Sequence, residues 1–378
     1  MKKICKSYKF RMYPDIDTIK KLNQFFDIKR FIYNYYLSKK DDVLEKEKRN
    51  YTLKEMQDDV IKLQKINPWL KDTDAFIIKN TLEDLDRTYK KYLKTNVNHP
   101  KYKCKNYKQT YKTIHIKNSY NNTYNIKVDL LNHKIKLPKL NPIEIKGYKS
   151  LTNFDKEIIN AVISKEANRF YVSINVLEKN ESLNRPLHNI VGIDIGIKNI
   201  ITTSDGIKYN KMPSMQKHYK KLRKLSNDLS KKQKGSVNSF KNIIKIERVY
   251  QKIKNTRKYY IHSIVNDILK DNDIIITETL KTKGMIKKAS KSLRKNIINT
   301  SFYEILKCIN YKTEWQGKKH INICSYYPSS QICNHCNYKN NIDLSVRKFI
   351  CKNCESYLDR DINASVNILW EGINKLYN

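Results

Sequence analysis

Four cysteines near the end of the chain fall into two pairs, Cys333–Cys336 and Cys351–Cys354, with the spacing Cys-x2-Cys-x14-Cys-x2-Cys. Each pair suits a tight knuckle with both thiolates turned toward one metal. Four thiolates in a tetrahedron satisfy zinc and leave no open position, so the spacing predicts a structural site and not a catalytic one. Metal binding can supply on the order of 10–16 kcal/mol of folding free energy to a module whose core is too small to fold alone. His335, inside the first knuckle, is a competing ligand, and SVRKFI between the knuckles suits a hairpin strand.

Three carboxylates raise a second question. Asp194 interrupts the apolar run VGIDIGI, read as a strand to about Gly196; Glu278 ends IIIT; Asp361 opens the final helix. Each has an ordinary reading. Asp361 suits a helix N-cap, Glu278 a solvent-facing strand end. Asp194 is harder to dismiss, because a charge in an apolar strand is costly unless paired or bound to metal. Together they match what phosphodiester hydrolysis by two divalent cations requires: carboxylates from separate elements converging on one point. Magnesium favours such oxygen ligands.

The elements that must position these groups follow from periodicity. Residues 1–13 alternate and stop at Pro14, as a strand does. From Asp17 to about Tyr92 the period turns helical, with Ile19, Leu22, Phe25, Phe26, Ile32, Tyr35 and Tyr36 in one stretch and Phe76, Ile77, Leu82, Leu85, Tyr89 and Tyr92 in another. Basic outer faces are expected on both. NVNHPKYKCKNYKQTYKT breaks the helix at Pro100 and interleaves Lys with Tyr, as a loop tracking nucleic acid would, with a solvated linker as the alternative. Residues 111–177 read as short alternating strands, which with the first strand would close a small barrel. A polar linker follows at 178–186.

From 187 onward strands alternate with helices, which argues an α/β domain. A hairpin turns at Asp205-Gly206. The stretch 217–270 is basic and helical, with stripes at Leu222, Leu225 and Leu229 and at Ile246, Val249, Ile253, Tyr260, Ile264 and Ile268.

Charge bounds the partner. The chain of 378 residues holds 76 Lys and Arg against 37 Asp and Glu, a net charge of +39. Such an excess repels itself unless a polyanion is near, and nucleic acid is the polyanion whose phosphates release counterions to Lys and Arg. The 27 Tyr suit stacking on unpaired bases. No run of 18 apolar residues predicts a membrane helix, and MKKICKSYKFRMYP lacks the apolar core of a signal peptide. An intracellular protein keeps its thiols reduced, which again favours metal ligation by the paired cysteines. Cys5, Cys104, Cys308 and Cys324 lack ligand spacing and read as ordinary, partly buried thiols.

At these motifs the sequence resembles the TnpB family of transposon-encoded RNA-guided DNA endonucleases, relatives of type V CRISPR effectors. GIDIGIKN, ETLKTKGM and YPSSQICNHC…CKNC…DRDINAS look like its RuvC-type nuclease motifs and inserted zinc ribbon. YKFRMYP, KRFIYNYYL and NPWLKDTDAF look like its amino-terminal region, and KLPKL like its barrel. The resemblance implies a multidomain chain. A wedge-like β-barrel (1–14 and 111–180) would carry a helical recognition insertion (15–110). An RNase H-like RuvC domain (187–328 and 357–378) would carry a zinc ribbon (329–356).

The resemblance further implies Asp194, Glu278 and Asp361 as the catalytic residues holding Mg²⁺ or Mn²⁺, and Cys333, Cys336, Cys351 and Cys354 as ligands of one structural Zn²⁺. It implies a guide RNA from the transposon end, a double-stranded DNA target cut beside a short flanking motif, a monomer, and a cytoplasmic, nucleoid-associated setting in a prokaryote. Alternatives are an RNA-guided repressor, disfavoured by the three intact carboxylates, and an unguided structure-selective nuclease on the same fold, disfavoured by the helical insertion and the charge. A strand-joining transposase is a third; the chain lacks its His-hydrophobe-His motif. Individual nucleic-acid contacts are not assigned.

Overall fold

In the computed structural model, which describes residues 3–105, 108–117, 123–147, 157–179, 186–210, 215–280, 282–342 and 348–377, the chain divides into two units, Lys3–Glu178 and Lys179–Asn378.

The first unit opens with β1 (Lys3–Tyr13), whose alternation buries Ile4, Phe10 and Met12. Three helices follow: α1 (Ile16–Glu47), α2 (Leu53–Ile66) and α3 (Ala75–Thr95). Asp15 starts α1 by accepting from the Thr18 amide at 2.7 Å, and Thr52 with Glu55 forms a reciprocal capping box at α2. The strands then resume as β2 (Gln109–Ile114), β3 (Lys127–Asp129), β4 (Lys134–Lys136), β5 (Ile143–Lys146), β6 (Glu157–Glu166) and β7 (Arg169–Lys179).

Their order is β2-β6-β7-β1-β5-β4-β3, so the first strand in sequence lies in the middle of the sheet. Tyr111 from β2 and Val128 from β3 pack into one core with Phe10, Ile145 and Val172, so the sheet curls. No ladder joins β2 to β3 among the described residues, where a closed barrel would need one. Helix α1 serves two cores: Leu22, Phe25 and Phe26 pack on the sheet, while Ile28, Ile32, Tyr36 and Leu37 pack with α2 and α3. The expected basic outer face has an exception. Lys40 is fully buried, paired with Asp86 at 3.1 Å.

The second unit begins with β8 (Ile190–Asp194), β9 (Asn199–Thr203) and β10 (Lys208–Asn210), an antiparallel meander whose β9–β10 turn uses Gly206 at φ 84°. Helices α4 (Met215–Ser230) and α5 (Val237–Asp271) lead to β11 (Ile274–Glu278); α6 (Thr282–Lys288), α7 (Lys291–Thr300) and α8 (Phe302–Trp315) lead to β12 (Lys319–Ile323). The sheet order is β10-β9-β8-β11-β12, with β11 parallel to both neighbours.

Ile274, Ile275 and Ile276 are all buried because both faces of the sheet are covered. Ile275 faces α5 and α8, while Ile274 and Ile276 pack in the core on the other face. The Leu222, Leu225 and Leu229 stripe of α4 is only half-buried.

A two-stranded hairpin, β13 (Lys348–Ile350) with β14 (Tyr357–Asp359), closes the second knuckle and runs directly into α9 (Arg360–Tyr377). The paired strand therefore extends three residues past the expected ribbon boundary at 356. Of the expected strand SVRKFI, residues 345–347 lie outside the described residues. No helix among the described residues is long and apolar enough to cross a membrane.

Candidate active site

The structure places Asp194 at the C-terminal end of β8, and not in mid-strand as the run to Gly196 suggests. Glu278 stands at the C-terminal end of β11. Because these strands are parallel neighbours with Thr277 opposite Ile193, the two carboxylates emerge side by side at one edge of the sheet. Asp361 arrives on the first turn of α9. That helix lies against β8 at a distance only glycine permits: a Cβ on Gly192 would sit 2.2 Å from the Ser365 carbonyl oxygen and 2.7 Å from the Leu369 amide nitrogen. Gly372 repeats the device against Ile276. Two close approaches thus set how near Asp361 comes to Asp194.

The electrostatics record the convergence. The Asp194 carboxyl is pushed up to about 7 by burial first and then by the charges of Glu278 and Asp361, against the Ile195 amide and Arg360. Burial also raises Glu278, opposed by the Ser329 hydroxyl, which donates to Glu278 Oε1. Like charges gathered in a desolvated place titrate late unless a cation joins them.

Asp361 does not act as the helix cap. Asp359 does, its Oδ1 accepting from the amides of Asp361 at 3.0 Å and Ile362 at 3.3 Å. Burial works against the Asp359 charge, but these amides and Lys208, whose Nζ lies 2.6 Å from Oδ2, hold its carboxyl below the usual range. Asn199 donates to Asp361 Oδ2 at 3.2 Å.

The four paired cysteines form the tighter cluster. Cys333 Sγ lies 3.7 Å from Cys354 Sγ and Cys336 Sγ 3.6 Å from Cys351 Sγ, and all four sulfurs lie within 4.8 Å of one another. A tetrahedral zinc with Zn–S of about 2.3 Å would set sulfurs about 3.8 Å apart, so the donor set fits zinc. Although burial opposes it, the amides of Cys354 and Asn353 and the Asn340 side chain bring the Cys351 thiol down to about 6, toward the thiolate a metal needs. The apolar core beneath is small: Phe349 with Cys333 and Cys351, flanked by Ile342 and Leu358. His335 is exposed and outside the cluster. Of the unpaired cysteines, Cys5, Cys104 and Cys324 are exposed, contrary to the partly buried reading, and only Cys308 is buried.

Residues that spacing did not single out connect the two clusters: Ser329 on Glu278, and Asn363 and Asn367 on α9. The asparagines fall on a polar stripe of α9 with Arg360 and Glu371, which by sequence reads as a solvated face, so their burial was not legible. Ser329 falls within the quoted motif YPSSQICNHC, but its spacing gave it no role.

In the first unit, Lys29, Arg30, Lys103, Lys105 and Lys108 line a recess of about 180 Å³. Burial lowers Lys29, and lowers Lys103 to about 8. Part of the Lys/Tyr loop therefore does line a basic cavity; residues 106 and 107 lie outside the described residues.

Three family models match the chain. OrfB_IS605, described as "Probable transposase", matches residues 173–289; the Cas12f1-like TNB domain matches 302–368; and a helix-turn-helix domain of OrfB_IS605 matches 1–49. InsQ of Escherichia coli K12, which carries the name of an RNA-guided DNA endonuclease, is 27% identical over 97% of this chain and 92% of its own. A protein of Streptomyces pristinaespiralis under the same description is 24% identical over 99% of this chain and 90% of its own. The protein of the Cas12f1–sgRNA–target DNA complex superposes with a TM-score of 0.59 over 97% of this chain and 98% of that one, at 14% identity, and shares the fold. Over nearly its whole length the chain is therefore similar to these proteins and, at 22% identity, to a TnpB-like protein of Acanthamoeba polyphaga mimivirus, which supports the resemblance to the TnpB family.

Proposed function

We propose that this protein is an RNA-guided DNA endonuclease of a transposable element, which cuts target DNA beside a short flanking motif. The observation that carries the reading is the meeting of Asp194, Glu278 and Asp361 from two parallel strand ends and a helix start, with Asp194 raised to about 7 by burial first and by that company second. Its relatives' names point the same way.

In this reading Asp194, Glu278 and Asp361 hold two divalent cations, magnesium or manganese. When bound, such a pair activates water and stabilises the leaving oxygen of an in-line displacement. Asn199 steadies Asp361, and Asp359 takes over the capping duty so that Asp361 keeps its carboxylate for the site. Four thiolates hold one structural zinc, which keeps the ribbon folded beside these groups.

The curled sheet and helices of the first unit we assign to guide RNA and the flanking duplex, as the barrel-and-insertion domain of the family reading. The basic recess at Lys29 and Lys103 suits a phosphate, because a partly desolvated ammonium gains from an anion. Base pairing would read the target sequence, and the protein the flanking motif.

The test is to express the gene with its native flanking DNA and sequence the RNA that copurifies. A single RNA with a constant scaffold and a flank-derived end, followed by magnesium-dependent cutting of matched DNA, is expected. Random RNA fragments would turn the reading to an unguided nuclease. Binding of matched DNA without cutting would turn it to a repressor.

A further inference from the structure

Ser329 stands four residues before the first zinc-ribbon cysteine and is 5% exposed. Its hydroxyl donates to Glu278 Oε1. Its backbone is gripped from α9: Asn367 Nδ2 donates to the carbonyls of Ser329 at 2.8 Å and Ile332 at 2.7 Å. Asn363 Nδ2 donates to the Ile332 carbonyl at 2.7 Å, and Asn363 Oδ1 accepts from the Asn334 amide at 3.0 Å. Both asparagines are buried, Asn363 completely. From the other side the knuckle itself holds the segment, the Asn340 amide donating to the Gln331 carbonyl at 2.8 Å. A serine on a surface turn would rotate freely; this one is fixed by its main chain on two sides.

We propose that Ser329 is a positioning residue for Glu278, presented by the first zinc knuckle and by α9. The proposal rests on the reading of Glu278 as a cation ligand. A glutamate has rotamer freedom to lose on binding a cation. One hydroxyl proton directed at one carboxylate oxygen removes part of that freedom beforehand and leaves the other oxygen for a ligand. The same helix that delivers Asp361 thereby sets Glu278 as well, through Asn367 and Ser329. The ordinary alternative is that Ser329 only satisfies a half-buried carboxylate. That role would affect stability and leave cation affinity alone.

The experiment uses the zinc-loaded full chain without nucleic acid, as wild type, Ser329→Ala and Ser329→Thr. Mn²⁺ affinity is read by electron paramagnetic resonance, and zinc content by elemental analysis. Outer partners of metal ligands typically contribute 10–100-fold to affinity. Ser329→Ala is expected to weaken Mn²⁺ by about tenfold or more at unchanged zinc, and Ser329→Thr, which keeps the hydroxyl, to restore most of it. In cleavage, the Mg²⁺ concentration for half-maximal rate should rise in Ser329→Ala while the rate at saturating Mg²⁺ largely recovers.

Wild-type or tighter Mn²⁺ affinity in Ser329→Ala overturns the proposal, as does a wild type with no Mn²⁺ site. Should Ser329→Ala fold poorly, Ser329→Cys is read instead, since it keeps the size and weakens the donor. Wild type that binds Mn²⁺ but cuts no matched DNA defeats the nuclease reading and leaves the positioning claim to the Mn²⁺ shift. Wild type that cuts, with Ser329→Ala unchanged in both readouts, defeats the positioning claim alone.

Discussion

The thiolate cluster and the carboxylate cluster lie close along α9 and its lead-in, yet they are built on opposite principles. The four cysteines come from 22 consecutive residues, 333–354, and their sulfurs crowd within 4.8 Å. The three carboxylates come from residues 194, 278 and 361, on two strands and a helix. Among the described residues only the thiolates make so tight a group. The first cluster is closed, and a zinc held there would stabilise a core too small to stand alone. The second is more open, and its assembly costs stability, since like charges are gathered where water is scarce. A site that must admit a substrate keeps such strain; a structural site does not.

The largest expected effect tests the stabilising half of this contrast. Cys333→Ser should lose the zinc and unfold the ribbon, forfeiting much of the ~10 kcal/mol that four-ligand zinc can supply. Elemental analysis would show less than one zinc per chain, and hydrogen exchange would show lost protection at the knuckles and the β13–β14 hairpin. A fully protected, metal-free variant would erase the contrast.

Asp194→Ala should retain zinc and fold but slow cleavage by on the order of 10³-fold or more, since a ligand ought to matter more than the 10–100-fold typical of its outer partners. Single-turnover cleavage of matched DNA measures this, with binding followed separately. Residual cutting within tenfold of wild type would remove Asp194 from the site.

The strain itself is measurable. Asp194 titrates at about 7 in the folded chain, against about 3.9 when unfolded. The folded state thus holds the proton more tightly. Its contribution to stability is complete below about pH 4 and is lost as pH rises through about 7. Magnesium-free, zinc-loaded Asp194→Asn should therefore be more stable than wild type at pH 8, by about 1–3 kcal/mol because the neighbours share the titration. The difference should vanish toward pH 4. Magnesium should raise the melting temperature of wild type more than that of the variant. Thermal melts across pH 4–8 check the sign.

The smallest effects concern the scaffold. Asp359→Ala removes the α9 cap and should cost about 1 kcal/mol. Lys208→Ala, which removes a half-exposed ion pair, should cost less than about 1 kcal/mol. Equal losses for the two would mean that the ion pair, and not the cap, secures α9.

Much of this was legible from residues alone, for reasons that differ between the clusters. Zinc ligation is local: two Cys-x2-Cys pairs dictate their own knuckles. Alternation placed β1, β6 and β7, and the helical period placed Leu22, Phe25 and Ile32 of α1 and Leu82, Leu85 and Tyr89 of α3 in cores. Strand ends were less legible. Asp194 reads as mid-strand because Ile195 and Ile197 continue the apolar run, but Ile195 is buried beyond the ladder rather than within it. Lys40 shows the same limit, since its burial depends on Asp86 of another helix.

The sequence by itself determined the four-cysteine cluster, the charge that points to a polyanionic partner, the α/β class of the second half and, through the family resemblance, which three carboxylates to propose. These depend on spacing, composition and period, which are properties of the chain. Only the tertiary structure decided that Asp359 caps α9 in place of Asp361, that Gly192 lets that helix meet β8, and that Ser329 reaches Glu278 from the ribbon's lead-in. The last two join segments far apart in sequence, and no local period encodes which distant backbone a side chain will meet; the cap is local, but Asp-Arg-Asp offers two aspartates for it and only the backbone geometry selects Asp359.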